Sequence, residues 1–142
     1  MALGEQFYEH KGKVIGQRVL DVNGEEGPKI ETTFSAEAKI KGTIEVNEVG
    51  TYVSIIKSGG ILHGQGYGLY TAKDESGEMA TWTGYGIGRF VGSGRVSYRG
   101  SLFYKTKSSA GGKLSFLNNL VGVFEHEVDE LGNTTGKVWE WK

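Results

Sequence analysis

Glycine occupies every second position in two stretches of this chain, Gly64-Gln65-Gly66-Tyr67-Gly68 and Gly84-Tyr85-Gly86-Ile87-Gly88. Because successive residues of a β-strand point to opposite faces, each stretch removes the side chains from one face of one strand. Glycine weakens a strand, so the pattern is typical of a sheet that bends sharply or of a backbone that another group approaches closely. The two stretches therefore predict a curved β-sheet with a bare patch on one face.

Alternation of polar and apolar residues predicts further strands on both sides of this pair. From Ile30 to Val46 the even positions are mainly apolar and the odd positions polar. A straight strand of that length would run about 55 Å, too long for a domain of this size, so we expect two strands or one strand bent at Gly42. The other predicted strands are Gly12–Val22, Thr51–Lys57, Ile61–Thr71, Met79–Phe90, Arg95–Lys105, Gly122–Asp129 and Thr134–Trp141.

Short turns separate these strands, as at Asn23-Gly24 and Asp74-Glu75-Ser76-Gly77. Connections of this length favour strands that are antiparallel neighbours in space. One short helical turn is predicted near 114–119, in the longest break between strands. The sequence thus predicts an all-β fold, namely a closed antiparallel barrel of about eight mostly hairpin-connected strands that forms a single domain over residues 1–142.

A register for the glycine stretches follows if the hairpin at 74–77 places Thr71 opposite Thr81. Three glycine pairs then form across the hairpin, Gly68 with Gly84, Gly66 with Gly86 and Gly64 with Gly88. On this register the even-numbered face is apolar and aromatic, and we expect it to point inward. The predicted lumen residues are Tyr70, Trp82, Phe90, Tyr98, Leu102, Tyr104, Gly66 and Gly86.

Two interpretations of this inward glycine patch remain open. In the first, the opposite wall packs against bare backbone and the barrel is filled. In the second, the missing side chains leave a lumen for a small, mostly apolar ligand. Tyrosine hydroxyls and the indole N–H of Trp82 would then supply the few polar groups of the site.

Composition and motifs exclude several classes of function. A net charge of −1 argues against attraction to nucleic acid or to an anionic membrane. Charged outward positions such as Lys39, Glu45 and Arg99 oppose an outer-membrane barrel. The chain has no cysteine, and with no basic and apolar leader at its start we expect a cytoplasmic protein without a signal peptide.

No motif in the chain indicates a cofactor. Neither glycine stretch gives GxGxxG at a strand-to-helix turn, and no GxxxxGK[ST] motif is present. His10, His63 and His126 lie far apart in the sequence, so we expect no metal site. Glu125 and Glu127 alternate along a strand, and we expect a solvated strand face there rather than an acid pair.

The odd-numbered face carries an apolar set of its own, made of Tyr67, Leu69, Tyr85, Ile87 and Phe103. On the assumed register this face points outward. A contiguous apolar surface patch more often marks a partner surface than an accident. We therefore expect a homo-oligomer.

Several segments together carry a resemblance to known proteins. The segments 64–68, 81–90 and 98–100, with the terminal Trp139-Glu140-Trp141-Lys142, resemble a group of small uncharacterised prokaryotic β-barrel proteins over nearly the whole chain. More distantly, the glycine-punctuated strands resemble the allene oxide cyclase-like and dirigent-like barrels of the calycin type. That resemblance implies a closed eight-stranded barrel, an apolar lumen and often an oligomer. Some members of those families are cyclases, or steer coupling reactions, without a metal or a nucleotide.

Three functions stay open on these grounds, and so does the question whether the chain is an enzyme. The leading hypothesis is a barrel that binds a small apolar molecule in its lumen. The second is a cavity enzyme, resembling a cyclase or an isomerase, that acts on such a molecule. The third is a structural or interaction protein with a filled barrel. A buried carboxylate or histidine beside Tyr70 or Tyr98 would favour the enzyme.

Overall fold

The computed structural model describes residues 3–107 and 112–142, which form a closed barrel of antiparallel strands that neighbour one another in sequence order. The sheet closes because the first strand pairs with the last as well as with the second. The barrel predicted from the sequence is confirmed. Its strands are β1 (Leu3–Asp21), β2 (Lys29–Ile40), β3 (Ile44–Lys57), β4 (Ile61–Ala72), β5 (Met79–Phe90), β6 (Val96–Thr106), β7 (Val121–Val128) and β8 (Asn133–Trp141), with short 3-10 turns at Ser58–Gly60 and Ser115–Asn119.

The long alternating stretch from Ile30 to Val46 forms two strands joined by a tight turn. Lys41 and Gly42 both adopt positive φ angles, of 52° and 74°, which reverse the chain between β2 and β3. Glycine tolerates this conformation without steric cost. The turn thus lies at Gly42, where the sequence predicted the bend, and β3 continues through the separately predicted strand at 51–57.

Strand β1 begins at Leu3, nine residues before the predicted start at Gly12. Its pairing with β8 shifts register between Gln6 and Tyr8, so Phe7 and Tyr8 are both buried although they are adjacent. A β-bulge of this kind interrupts the alternation on which the sequence prediction depends. The irregularity brings the Tyr8 side chain into the interior.

The register between β4 and β5 differs by two residues from the predicted one. Thr71 lies opposite Met79 rather than Thr81, because the strands continue closer to the hairpin tip, where the Ala72 amide donates to the Glu78 carbonyl at 2.8 Å. Two glycine pairs form instead of three, Gly66 with Gly84 and Gly64 with Gly86. A shift of two residues keeps every side chain on its face, so the glycine face does point inward. Across β5 and β6, Trp82 lies opposite Tyr104 and Gly86 opposite Gly100, so the inward face continues onto β6.

The turn at Ser115–Asn119 covers one end of the barrel. Leu114 and Leu117 are fully buried there, and the Phe116 ring packs edge-on against Phe7 with centroids 5.9 Å apart. This apolar cover separates the interior from solvent at that end and leaves the site deeper in the lumen. In the described part of the chain, no helix is long and apolar enough to cross a membrane.

Candidate ligand site inside the barrel

A buried carboxylate lies at the centre of the lumen. Glu48 is on β3 between the inward residues Val46 and Gly50, and only 3% of it is exposed. The Trp82 indole donates to its Oε2 at 2.9 Å, and the Tyr8 hydroxyl donates to its Oε1. A carboxylate removed from water is tolerated when its oxygens accept such hydrogen bonds, each worth about 1.5–3 kcal/mol.

The protonation of Tyr8 fixes the direction of the hydrogen bonds around Glu48. Burial raises the pKa of the Tyr8 hydroxyl well above its ordinary value, and the charge of Glu48 raises it further, so the hydroxyl keeps its proton. That proton is donated to Glu48, and the Tyr8 oxygen is therefore an acceptor toward His10 Nδ1, 2.5 Å away. His10 Nδ1 also lies 3.2 Å from Glu48 Oε1. A hydrogen of the His10 ring thus lies on Nδ1, and in the neutral ring the lone pair is then on Nε2.

A second histidine lies beside His10. The rings of His10 and His126 have centroids 5.4 Å apart, and the Phe34 ring packs against both of them. Burial, with a smaller contribution from His10, lowers the pKa of His126 to about 3, so its ring is neutral at ordinary pH. The Nε2 atoms of both histidines are buried and have no hydrogen-bond partner among the residues that the structure describes.

Tyrosine hydroxyls complete the polar groups of the interior. Tyr98 interacts with Ser54 at an O–O distance of 2.8 Å, and Tyr70 with Tyr104 at 3.2 Å. Burial raises the pKa of Tyr98, Tyr70 and Tyr104, so these hydroxyls stay neutral. The lumen therefore combines one carboxylate with neutral donors and acceptors.

A cavity of about 70 Å³ lies among these side chains. Its accessible wall is almost entirely carbon, although His10, His126, Glu48 and Tyr98 contribute to it. A cavity of about 150 Å³ holds benzene in another protein, so this space suits a molecule of only a few heavy atoms. The other lining groups include Tyr8, Phe34, Tyr52, Gly64, Gly66, Tyr70, Trp82, Gly84, Gly86, Leu102, Phe124, Gly136 and Val138.

Most of the predicted lumen residues lie at this cavity. The wall includes Tyr70, Trp82, Tyr98, Leu102, Gly66 and Gly86. Tyr104 is buried behind the wall, where its hydroxyl contacts Tyr70. The prediction that Phe90 lines the lumen is wrong. Phe90 is 49% exposed and does not contribute to the wall, because it is the last residue of β5, at the rim of the barrel.

The carboxylate and the two histidines of the site, with Tyr8, were not predicted from the sequence. Glu48 and His126 occupy inward positions of the strand alternation, next to Val46 and Phe124 respectively. A charged or titratable residue on an apolar face was the signal that could have identified them. Tyr8 and His10 carried no such signal, because they lie in the part of β1 that was not predicted as a strand.

The outer face also has the predicted composition. Tyr67, Tyr85 and Phe103 are each more than half exposed. Glu125 and Glu127 lie on the outside, where Arg99 contacts them at 3.5 and 2.9 Å, and no buried acid pair forms there. Within residues 3–107 and 112–142, no group of three or more His, Asp or Glu side chains is arranged to hold a metal ion.

These observations define a closed eight-stranded antiparallel barrel with a buried Tyr–His–Glu cluster, and solved structures share the fold. A protein of unknown function from Clostridium acetobutylicum ATCC 824 is similar with a TM-score of 0.80 and 12% identity over 100% of both chains. A conserved protein of unknown function from Rhodopseudomonas palustris has a TM-score of 0.78 and 12% identity, over 99% of this chain and 98% of its own. A β-barrel-like protein from Acinetobacter baumannii AYE has a TM-score of 0.80 and 13% identity, over 99% of this chain and 96% of its own.

At such low identity these similarities show the fold alone. They confirm the resemblance to uncharacterised β-barrel proteins. No protein-family model and no curated protein matches the sequence.

Proposed function

We propose that the barrel binds a small, uncharged, mostly apolar molecule in its lumen, and that this molecule donates a hydrogen bond to a histidine. The observation that carries the proposal is the pair of buried Nε2 atoms, on His10 and His126, that find no partner within residues 3–107 and 112–142 while their side chains line the cavity. A buried acceptor without a partner costs about 1–3 kcal/mol. A ligand with an O–H or N–H group would recover that free energy.

Charge and size restrict the ligand further. Glu48 places a carboxylate in the lumen, and among the described inward-facing strand residues there is no lysine or arginine. An anionic ligand would therefore meet the repulsion of Glu48, while Lys137, which lies beside the cavity, is exposed on the outer face. The cavity volume of about 70 Å³ limits the ligand to a few heavy atoms. The proposal thus excludes fatty acids and other long lipids.

A matched pair of probes tests the proposal. Isopropanol and acetone have nearly the same shape, but only isopropanol donates a hydrogen bond. Titration followed by amide NMR shifts should show isopropanol binding at Gly64, Gly84 and Gly86 more tightly than acetone. Equal binding of the two would contradict the role of the histidine acceptors, and no shift with either would mean that the cavity holds water alone.

A pair of variants tests where the probe binds. In Gly64→Ala the new Cβ would lie on the cavity wall, 3.3 Å from the Tyr98 ring, and should weaken isopropanol binding. In Gly16→Ala the new Cβ meets nothing within 4 Å, and binding should be unchanged. An equal weakening of isopropanol binding in both variants would mean that isopropanol binds outside this cavity.

A cavity enzyme is the second candidate function. Its support is a carboxylate and two histidines beside Tyr70 and Tyr98 at one cavity, because catalytic acids and bases are commonly buried next to a charge partner in this way. A likeness to allene oxide cyclase-like barrels adds only fold analogy to this candidate.

A further inference from the structure

We propose that His10 is a general base, whose Nε2 takes a proton from carbon in a small α-hydroxy carbonyl compound, with Tyr8 and Glu48 as its positioning residues. The inference rests on the proposed lumen binding and assigns chemistry to the same site. The inference follows from the different surroundings of the two buried histidines. His10 contacts Tyr8 and Glu48 through Nδ1, whereas the groups around His126 are rings.

His10 has the partners that a base requires. Its Nδ1–H is held by the Tyr8 oxygen at 2.5 Å, and Glu48 Oε1 lies 3.2 Å from the same nitrogen. This arrangement leaves His10 Nε2 without a partner among the described residues, in a ring that lines the cavity. When Nε2 gains a proton, the positive charge of the ring lies next to a carboxylate, which stabilises it as in other carboxylate–imidazole pairs.

The His10 ring is also fixed in orientation. A Cβ atom added at Gly136 on β8 would lie 2.4 Å from His10 Cε1, so the imidazole rests directly on the glycine backbone. The Phe34 ring also packs against it, at a centroid distance of 5.5 Å. A base held in this way loses little entropy when it meets its substrate.

His126 lacks the partners of His10. No described carboxylate contacts it, and the neighbouring rings are those of His10, Phe34, Tyr52 and Tyr98. Its neutral ring accepts a hydrogen bond at Nε2 when Nδ1 carries the ring hydrogen. One histidine therefore suits proton transfer and the other suits recognition of a hydroxyl, which together point to an α-hydroxy carbonyl compound.

The step balances within the site. The C–H bond between the hydroxyl and carbonyl groups breaks, and its proton forms an N–H bond with His10 Nε2. The electron pair moves into a carbon–carbon double bond, and the carbonyl oxygen takes the negative charge as an enediolate. The neutral Tyr98 hydroxyl on the cavity wall is a donor for this oxygen. Return of the proton to the same carbon gives exchange. Its delivery to the adjacent carbon, with transfer of the hydroxyl proton to the enediolate oxygen, gives isomerisation.

Hydrogen exchange of hydroxyacetone in D₂O tests the inference without knowledge of the natural substrate. The protein should accelerate deuterium uptake at the CH₂ group beyond an equal concentration of imidazole. In the variant His10→Gln the rate of deuterium uptake should fall about 100-fold or more. The variant His63→Gln changes a histidine on the outer face, opposite Ile87, and should keep the rate.

A separate measurement tests the roles of the positioning residues Tyr8 and Glu48. In Tyr8→Phe and Glu48→Gln, ¹⁵N shifts of His10 should change from a single Nδ1–H tautomer to a mixture, and exchange should fall while hydroxyacetone still binds. Wild-type protein with the hydrogen of His10 on Nε2 would overturn the inference even if the His10→Gln variant does not fold. Binding of hydroxyacetone without exchange would overturn it and leave the proposed function intact. Absence of binding by either hydroxyacetone or isopropanol would overturn both.

Discussion

Individual glycines make room for aromatic rings that cross the lumen. A Cβ at Gly68 would lie 2.3 Å from the Trp82 indole, and one at Gly88 would lie 2.6 Å from the Tyr98 ring. The indole held in this way is the one that donates to Glu48. The bare backbone therefore serves the polar cluster indirectly, because it allows large side chains to reach the centre of the barrel.

Gly86→Val tests this packing at a single residue. A Cβ there would lie 2.9 Å from the Arg99 carbonyl oxygen and 2.9 Å from Phe124 Cζ. Valine suits strands in general, but here its branched carbon would displace the neighbouring backbone, so we expect the free energy of unfolding to fall by about 1–3 kcal/mol. Urea denaturation measures the change.

The control for this variant is Gly16→Val. Gly16 is also in a strand, but a Cβ there meets nothing within 4 Å, so the free energy of unfolding should stay within about 0.5 kcal/mol of wild type. A Gly86→Val protein as stable as this control would mean that the β5 glycines do not face a packed interior.

His126 makes the stability of the fold depend on pH. Its pKa in the barrel is about 3, because of burial first and the neighbouring His10 second, against an ordinary value of 6.5. Between these values the unfolded chain binds the proton and the folded chain does not, so stability falls as pH falls below about 6.5. The contribution approaches about 1.4 kcal/mol per pH unit, or about 2 kcal/mol between pH 6.5 and pH 5.

The variant His126→Phe should remove this part of the pH dependence, because phenylalanine packs among the same rings without a titrating group. Urea denaturation at pH 7 and pH 5 compares the two proteins, and His63→Gln provides a histidine control on the outer face. An unchanged difference between the two pH values in His126→Phe would contradict a neutral, buried His126.

At the scale of elements, most strands could be predicted from the sequence, whereas the register across the β4–β5 hairpin could not. Alternation and turn residues place β4 to β8 to within one residue, whereas β3 was predicted in two pieces, up to Val46 and over Thr51–Lys57. The β4–β5 register depends on how many residues the hairpin tip contains, and turn composition at 74–77 does not determine that number. The bulge near Phe7 is likewise invisible to a pattern with a strict period of two. The polar cluster was missed because it joins β1, β3, β5 and β7 through that irregular segment.

Cross-linking tests the register directly, because the chain contains no cysteine. Tyr67 and Thr83 are Cα partners across β4 and β5, so Tyr67→Cys with Thr83→Cys should form a disulfide on mild oxidation. The matched pair Tyr67→Cys with Tyr85→Cys corresponds to the register shifted by two residues. Those residues are diagonal neighbours about 7–8 Å apart and should not cross-link. Non-reducing mass spectrometry distinguishes the results, and the opposite preference would restore the three-pair register.

At the scale of the molecule, the outer wall has two different halves. The outward side chains of β1, β2, β7 and β8 include many charges: Glu9, Lys11, Lys13, Glu31, Glu37, Lys39, Glu125, Glu127 and Lys137. The central outward positions of β3 to β5 carry none, and on β6 the uncharged Ser101 and Phe103 lie between Arg99 and Lys105. The uncharged outward positions are Val49, Thr51, Gln65, Tyr67, Leu69, Thr83, Tyr85, Ser101 and Phe103. Depletion of charge together with exposed aromatic residues is typical of the core of a protein interface.

We propose that this uncharged half-wall contacts a second copy of the chain. In a two-fold dimer the same patch faces itself, and a patch without charge does so without like-charge repulsion. Native mass spectrometry should therefore report a homo-oligomer, with a dimer as the simplest form. The variant Tyr67→Lys should dissociate it, since a two-fold axis would bring both introduced charges into one interface. The variant Thr135→Lys adds the same charge to an exposed position on the charged half-wall and should leave the assembly intact. A monomeric wild-type protein at micromolar concentration, or dissociation by Thr135→Lys but not by Tyr67→Lys, would contradict the proposal.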